Sequence, residues 1–199
     1  MSTEPRPRIL IVDDNLEMAR TLADGLEEHG YDAVAQGSGR KALEWLAQHP
    51  CDALLTDLRM AGIDGLQLLT ASRKERPERP VIVMTAYSAV DSAIECIRQG
   101  AYHYLTKPFK LDELVIFLQR ALAEARVRRE ASVLKTTLRE RFSRSSLVGS
   151  SAPMQVLRDL LERLADTLTP VLLGGETGTG KGLVARILHV DSQRAAGPF

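Results

Sequence analysis

Four short apolar runs in this sequence each end in a polar group suited to phosphate chemistry. Asp52-Ala53-Leu54-Leu55-Thr56 leads into Asp57, and a loop containing Gly62 and Gly65 carries the chain away. Arg8-Ile9-Leu10-Ile11-Val12 ends in Asp13-Asp14, Val81-Ile82-Val83-Met84 in Thr85, and Tyr102-His103-Tyr104-Leu105-Thr106 in Lys107-Pro108. Runs of this length bounded by turn residues read as buried strands, and open α/β sheets place their chemistry at the carboxyl edge. If the strands are parallel, all four ends converge on one crevice. Two carboxylates about 5 Å apart repel by roughly 3 kcal/mol at an effective dielectric of 20. Asp13, Asp14 and Asp57 together therefore call for a cation, and Mg²⁺ suits them because it uses one or two carboxylates and keeps waters for a phosphate oxygen. A carboxylate can also be a nucleophile, giving an aspartyl phosphate. Lys107 would then supply a mobile positive charge and Thr85 a hydroxyl donor to the new phosphate. Any one of these residues alone would be an ordinary polar cap at a strand end.

The elements that must hold these groups follow from periodicity. Residues 1–7 are polar and Pro-rich, a loose tail. A helix is predicted from about Asn15 to His29 on the stripe Leu16, Ala19, Leu22, Ala23 and Leu26, stopped by Gly30. A strand near Asp32–Gln36, a helix at Arg40–Gln48 before Pro50, a helix from about Gly65 to Glu75 and one near Val90–Gln99 complete the alternation. Strands alternating with helices predict an α/β fold, a doubly wound five-stranded parallel sheet with right-handed crossovers and helices on both faces. The fifth helix starts near Leu111 and meets no breaker until about Arg141. Its stripe Leu111, Val115, Leu118, Leu122 and Ala125 suits packing on the sheet, then shifts phase to Val127, Ala131, Leu134 and Leu138. That second stripe is either a dimer seam or a solvated helix, since it covers too little length for a confident coiled coil. The basic residues around it (Arg126, Arg128, Arg129, Lys135, Arg139, Arg141, Arg144) read as a solvated face, with no recognition helix beside them.

A boundary is expected at Ser143-Arg144-Ser145-Ser146. Beyond it, Pro153–Ala165 reads as an amphipathic helix, Val171-Leu172-Leu173 as a short strand, and Gly182–His189 as a helix. Between the last two stands Gly175-Glu176-Thr177-Gly178-Thr179-Gly180-Lys181, which fits G-x-x-x-x-G-K. Backbone N–H groups and the helix N-terminus would cradle phosphates there, with Lys181 on the β and γ oxygens. Gly182 stands where many such loops carry a Mg²⁺-binding Ser or Thr. A segment of about 50 residues with one strand is near the limit for independent folding. Residues 147–199 are therefore expected to be poorly stable alone and not to hydrolyse ATP.

The 26 basic and 26 acidic residues balance, which gives no sign of a nucleic-acid or membrane surface overall. No apolar run approaches the ~20 residues needed to span a bilayer, and the N-terminus lacks a signal-peptide core. Cys51 and Cys96 read as free thiols in a reducing cytoplasm. His29, His49, His103 and His189 have no metal-like spacing.

Ile9–Asp14, Asp57 with its Gly62/Gly65 loop, Thr85-Ala86 and Lys107-Pro108-Phe109 resemble the receiver domain of two-component response regulators, over residues 8–125. The resemblance implies a flavodoxin-like fold and phosphorylation of Asp57 by a cognate sensor histidine kinase. It implies Mg²⁺ held by Asp13, Asp14, Asp57 and the backbone carbonyl of Arg59, a switch pair Thr85 and Tyr104, and a cis Lys107–Pro108 bond. Ala61 departs from the family, which often has proline there. Residues 126–146 would be a helical linker and 147–199 a second, incomplete domain. Leu147-Val148-Gly149, Met154, Gly175–Lys181 and Gly197-Pro198-Phe199 resemble the start of the P-loop AAA+ module of sigma-54-dependent activators of the NtrC type. ATP is the cofactor this implies, with Gly175, Glu176, Thr177, Gly178, Thr179, Gly180, Lys181 and Gly182 as the binding loop. The family's contacts to sigma-54 RNA polymerase and DNA would lie beyond Phe199. Two rival functions stay open: an activator in which phosphorylation changes pairing of a homodimer through receiver and linker, or a phosphate-accepting module without output that titrates the kinase or intact regulators. An independent P-loop enzyme with a regulatory receiver is the third reading.

Overall fold

A computed structural model describes residues 5–86, 90–142, 146–195, 197 and 199, with the side chains of 90, 91 and 138–140 excepted. The expected boundary at Ser143–Ser145 and the stripe position Leu138 lie outside that description. The chain divides into two compact units, residues 1–129 and 130–199.

In the first unit, β1 (Arg8–Val12), β2 (Asp32–Gln36), β3 (Ala53–Asp57), β4 (Val81–Thr85) and β5 (His103–Thr106) form one sheet in the order β2-β1-β3-β4-β5. Every pair is parallel, in registers such as Ile11↔Leu55, Thr56↔Val83 and Val83↔Tyr104. Side chains alternate across a strand, so each strand serves two cores. Ile9, Ile11, Leu55, Ile82, Met84 and Leu105 pack with α1 (Leu16–Glu28) and α5 (Leu111–Arg141) through Ala19, Leu26, Leu114 and Leu118. Leu10, Val12, Leu54, Val81 and Val83 pack with α2 (Gly39–Leu46), α3 (Gly65–Glu75) and α4 (Val90–Arg98) through Ala42, Leu46, Leu68, Leu69 and Cys96. Burial on both faces explains why β3 and β4 read as unbroken apolar runs rather than alternating ones.

The helices begin where local chemistry lets them. Asn15 caps α1 by accepting from the Met18 N–H at 3.1 Å. Asp64 and Gln67 form a capping box at α3, with bonds of 2.8 and 3.1 Å. Gly65 opens α3 against the end of β3. A β-carbon there would run into the Asp57 carbonyl oxygen and Leu58 Cα, so only glycine fits. At the opposite edge of the sheet, buried Arg79 donates to the Cys51 carbonyl, Ser72 Oγ and Glu75 Oε2, each at 3.2 Å.

Helix α5 spans 31 residues, about 46 Å at 1.5 Å per residue. Its first half carries the stripe that covers the sheet, and Val127, Val133 and Leu134 beyond are exposed. In the second unit, α6 (Ala152–Ala165) packs on α7 (Lys181–Asp191) around Leu147, Leu161, Val184 and Ile187. The strand expected at Val171-Leu172-Leu173 does not form, and Leu172 is almost fully exposed. A strand needs a neighbour to pair its N–H and C=O groups, and no described residue of this unit provides one. No described helix is long and apolar enough to cross a membrane.

Both cysteines are buried and unpaired. Burial pushes the Cys51 thiol up to about 11 and moves Cys96 in the same direction. A thiol reagent at about pH 8 should therefore label neither residue in the folded protein and both after denaturation. Rapid labelling without denaturant would contradict this packing.

Candidate functional site

The strand order reverses between β1 and β3, whose carboxyl ends carry Asp13 and Asp57. A crevice opens at such a switch point because the flanking connections depart to opposite faces. Ladder bonds continue just past the strand ends and fix the loops that follow. Asp13 N donates to the Gln36 carbonyl at 3.1 Å, Leu58 N to Met84 at 2.8 Å, and Lys107 N to Thr85 at 2.7 Å. Four side chains from four strand ends thereby face a cavity of about 300 Å³ lined also by Asp14, Asn15, Met18, Arg59 and Ala86.

The Lys107 ammonium donates to Asp13 Oδ2 and Asp57 Oδ1, each at 2.6 Å. The other two oxygens are also engaged. Asp13 Oδ1 accepts from Asn15 N at 3.0 Å and Asp57 Oδ2 from Arg59 N at 2.9 Å. Asp13 is only 1% exposed and Asp57 7%, so neither charge is shielded mainly by water. Burial alone would push Lys107 down, but its hydrogen bonds to Asp13 and Asp57 outweigh that and hold its pKa above the ordinary lysine value.

Thr85 ends β4, buried beside these acids, and its side chain is hydrogen-bonded to the Tyr104 phenol. Burial raises the Tyr104 pKa, an effect partly offset by that bond. The Lys107–Pro108 peptide is cis. Asp14 lines the same cavity from an exposed position. Lys107 itself bridges Asp13 and Asp57. Asn15 and Met18 were not singled out from sequence as residues of the crevice. Asn15 had a signal in its place before an apolar stripe, and Met18 had none beyond lying three positions after it.

In the second unit, the loop from Gly175 to Gly180 is exposed and turns through positive φ at Gly178 and Gly180, both +87°. Side chains at these positions would be strained. Gly180 caps α7. The Lys181 ammonium folds back onto the carbonyls of Gly175, at 2.9 Å, and Glu176. Thr179 Oγ1 donates to Glu176 O at 2.8 Å, while Thr177 and Gly182 stand exposed.

A parallel sheet in this order, with two acids, a hydroxyl and a lysine at its switch point, defines the receiver class of α/β proteins. Residues 9–119 match the model of the response regulator receiver domain, and residues 147–199 that of the sigma-54 interaction domain. This chain belongs to the response regulator family, with a receiver followed by a sigma-54 interaction segment. It is 39% identical to the regulatory protein AtoC of Escherichia coli K12 over 193 residues, covering 96% of this chain and 42% of AtoC. The nitrogen assimilation regulatory protein NtrX of Azorhizobium caulinodans is 36% identical over 193 residues, with the same coverage of 96% and 42%. The crystal structure of NtrX from Brucella abortus in complex with ATP aligns with a TM-score of 0.65 and 34% identity, covering 98% of this chain and 42% of that one. A CheY-like receiver from Methanospirillum hungatei aligns with a TM-score of 0.60 and 25% identity over 62% of this chain and 99% of its own. The chain thus spans about two fifths of the length of the curated relatives it matches.

Removing the bridging ammonium exposes what it balances. Lys107→Met should cost about 3 kcal/mol of stability near neutral pH, because two buried carboxylates then face each other unpaired. The raised Lys107 pKa keeps its charge through about pH 9, so the difference from wild type should hold across that range. Urea denaturation with a chelator present measures this, and equal stabilities at neutral pH would refute it.

Proposed function

We propose that this chain is the phosphorylation-controlled part of a sigma-54-dependent transcription regulator, accepting a phosphoryl group on Asp57 from a sensor histidine kinase. The observation that carries this reading is the Asp13–Lys107–Asp57 cluster, which holds a carboxylate nucleophile in a charge-balanced crevice beside the Thr85 hydroxyl. In the transfer, an Asp57 oxygen forms a bond to phosphorus while the phosphorus–nitrogen bond of the donor phosphohistidine breaks, its electron pair returning to the ring. Lys107 neutralises a phosphoryl oxygen and Thr85 donates its hydroxyl proton to another, so that charge is met by groups already in place.

The crevice also fits Mg²⁺. Two carboxylates within reach of one ammonium, with Asp14 at the rim, form the sparse oxygen set that this ion accepts. Asp13, Asp14, Asp57 and the Arg59 carbonyl would hold it. When bound, it adds positive charge against the phosphoryl oxygens. Thr85 and Tyr104 form the switch: the hydroxyl now joined to the phenol is the one the phosphoryl group recruits. Exposed Val127 and Leu134 on α5 support a homodimer seam through which the change is passed on.

Gly175–Gly182 serves as the ATP loop, supported by its glycine turns, by Lys181 and by the relative from Brucella abortus that was solved with ATP. Relatives described as DNA-binding transcriptional regulators support the downstream role. The two unpaired thiols suit the cytoplasm.

Asp57→Asn should abolish labelling of the chain by a phosphorylated kinase or a small acyl-phosphate donor, while Asp14→Asn should only slow it. Label retained by Asp57→Asn would overturn the assignment of the acceptor. For the second site, a fluorescent ATP analogue should bind this chain weakly and without turnover, and Lys181→Ala should remove the saturable part. Turnover that disappears in Lys181→Ala would show that residues 147–199 do more than bind.

A further inference from the structure

Met18 lies in the first turn of α1, half-buried, and its side chain lines the acid crevice. The groups that dominate that wall (Asp13, Asp57, Lys107 and Thr85) all bind water or phosphate oxygens. Among the described residues, Met18 is the one long apolar side chain facing the cavity, with only the methyl of Ala86 beside it. Its position is tied to the acids by a short relay. Asn15 N donates to Asp13 Oδ1 at 3.0 Å, and Asn15 Oδ1 accepts from Met18 N at 3.1 Å. Ala19 N closes the turn on the Asn15 carbonyl at 3.1 Å. The first turn of α1 cannot shift without breaking a bond to Asp13.

We propose that Met18 is a positioning residue that sets how long a phosphoryl group stays on Asp57, by presenting an apolar wall where the attacking water must be held. This rests on Asp57 being the acceptor. In the hydrolysis, the water oxygen forms a bond to phosphorus and the bond from phosphorus to the Asp57 oxygen breaks. Its electron pair returns to the carboxylate, and the water's protons leave with inorganic phosphate and solvent. Water in that approach needs a hydrogen-bond partner to hold it in line. A thioether offers almost none, and its flexible, polarisable chain packs against whatever occupies the crevice. The donor's leaving group departs from the face at which the water attacks, so the lifetime, read after the donor is removed, isolates the approach of water.

The test uses the whole chain, loaded from a radiolabelled acyl-phosphate donor with Mg²⁺, freed of donor, and followed for loss of label. Wild type is compared with Met18→Leu, Met18→Gln and Met18→Ala; leucine, glutamine and alanine are all good helix formers, so α1 is retained. Met18→Gln, with equal length and an added hydrogen-bonding head, and Met18→Ala, with the wall removed, should shorten the half-life several-fold. Met18→Leu should preserve it. Equal lifetimes in the four proteins would overturn the proposal, as would a Met18→Leu half-life as short as that of Met18→Gln. Wild type that takes no label would instead remove the Asp57 reading on which the proposal stands.

Discussion

The first unit depends on one ammonium group placed between two buried carboxylates. Two acids about 5 Å apart in protein repel by roughly 3 kcal/mol, a large part of the net stability of a domain this size. Lys107, at 2.6 Å from each, turns that repulsion into two charge-assisted hydrogen bonds. The arrangement requires β5 to deliver its last residues across β4 and β3 to β1. Only a parallel sheet brings the ends of strands so distant in sequence to one edge. Chemistry and topology are therefore the same constraint here. A strand inserted antiparallel would send its terminal charge to the opposite edge.

That edge is also the one place where these strands can carry charge. Along their length they are packed on both faces, by α1 and α5 on one side and α2, α3 and α4 on the other. An unpaired charge in mid-strand would cost several kcal/mol in either layer. Thr56 shows the limit: its buried hydroxyl is satisfied by the backbone, donating to the Asp57 carbonyl at 3.0 Å. Close approach of α3 to β3, allowed by Gly65, brings the loop after Asp57 back under the crevice, where Arg59 N reaches the Asp57 carboxylate.

Much of this was legible in the sequence because the physics is local. Five-residue apolar runs ending in Asp57 or Thr85 could be read as strands, and the stripe Ala19, Ala23, Leu26 as a helix face. The strand order was not legible from periodicity, which knows nothing of neighbours; it came from resemblance. Val171-Leu172-Leu173 misled for the same reason, since its composition suits a strand but a ladder requires a partner. The acids called for positive charge, and sequence could not say which of their oxygens Lys107 would engage in the fold. Asn15 and Met18 escaped because a helix's first turn is aimed by backbone hydrogen bonds, and which residue faces a crevice depends on how the cap meets Asp13.

The bond between Thr85 and Tyr104 connects this local balance to the far side of β4 and β5. Thr85 has one hydroxyl proton and stands within the crevice lined by Asp57, while Tyr104 belongs to the layer packed by α4. In the function proposed above, a phosphoryl group on Asp57 would present oxygens that outcompete a neutral phenol for a donor, since charge-assisted bonds are roughly twice as strong. The phenol would then lose its partner on Thr85. A change of charge at one carboxylate would thereby become a change of side-chain packing between β5 and α4. On that side Ile94 and Ile97 of α4 lie half exposed. An aromatic repacked in the layer that includes Cys96 of α4 would alter the apolar surface offered to a second molecule, and so would couple the proposed chemistry at Asp57 to association.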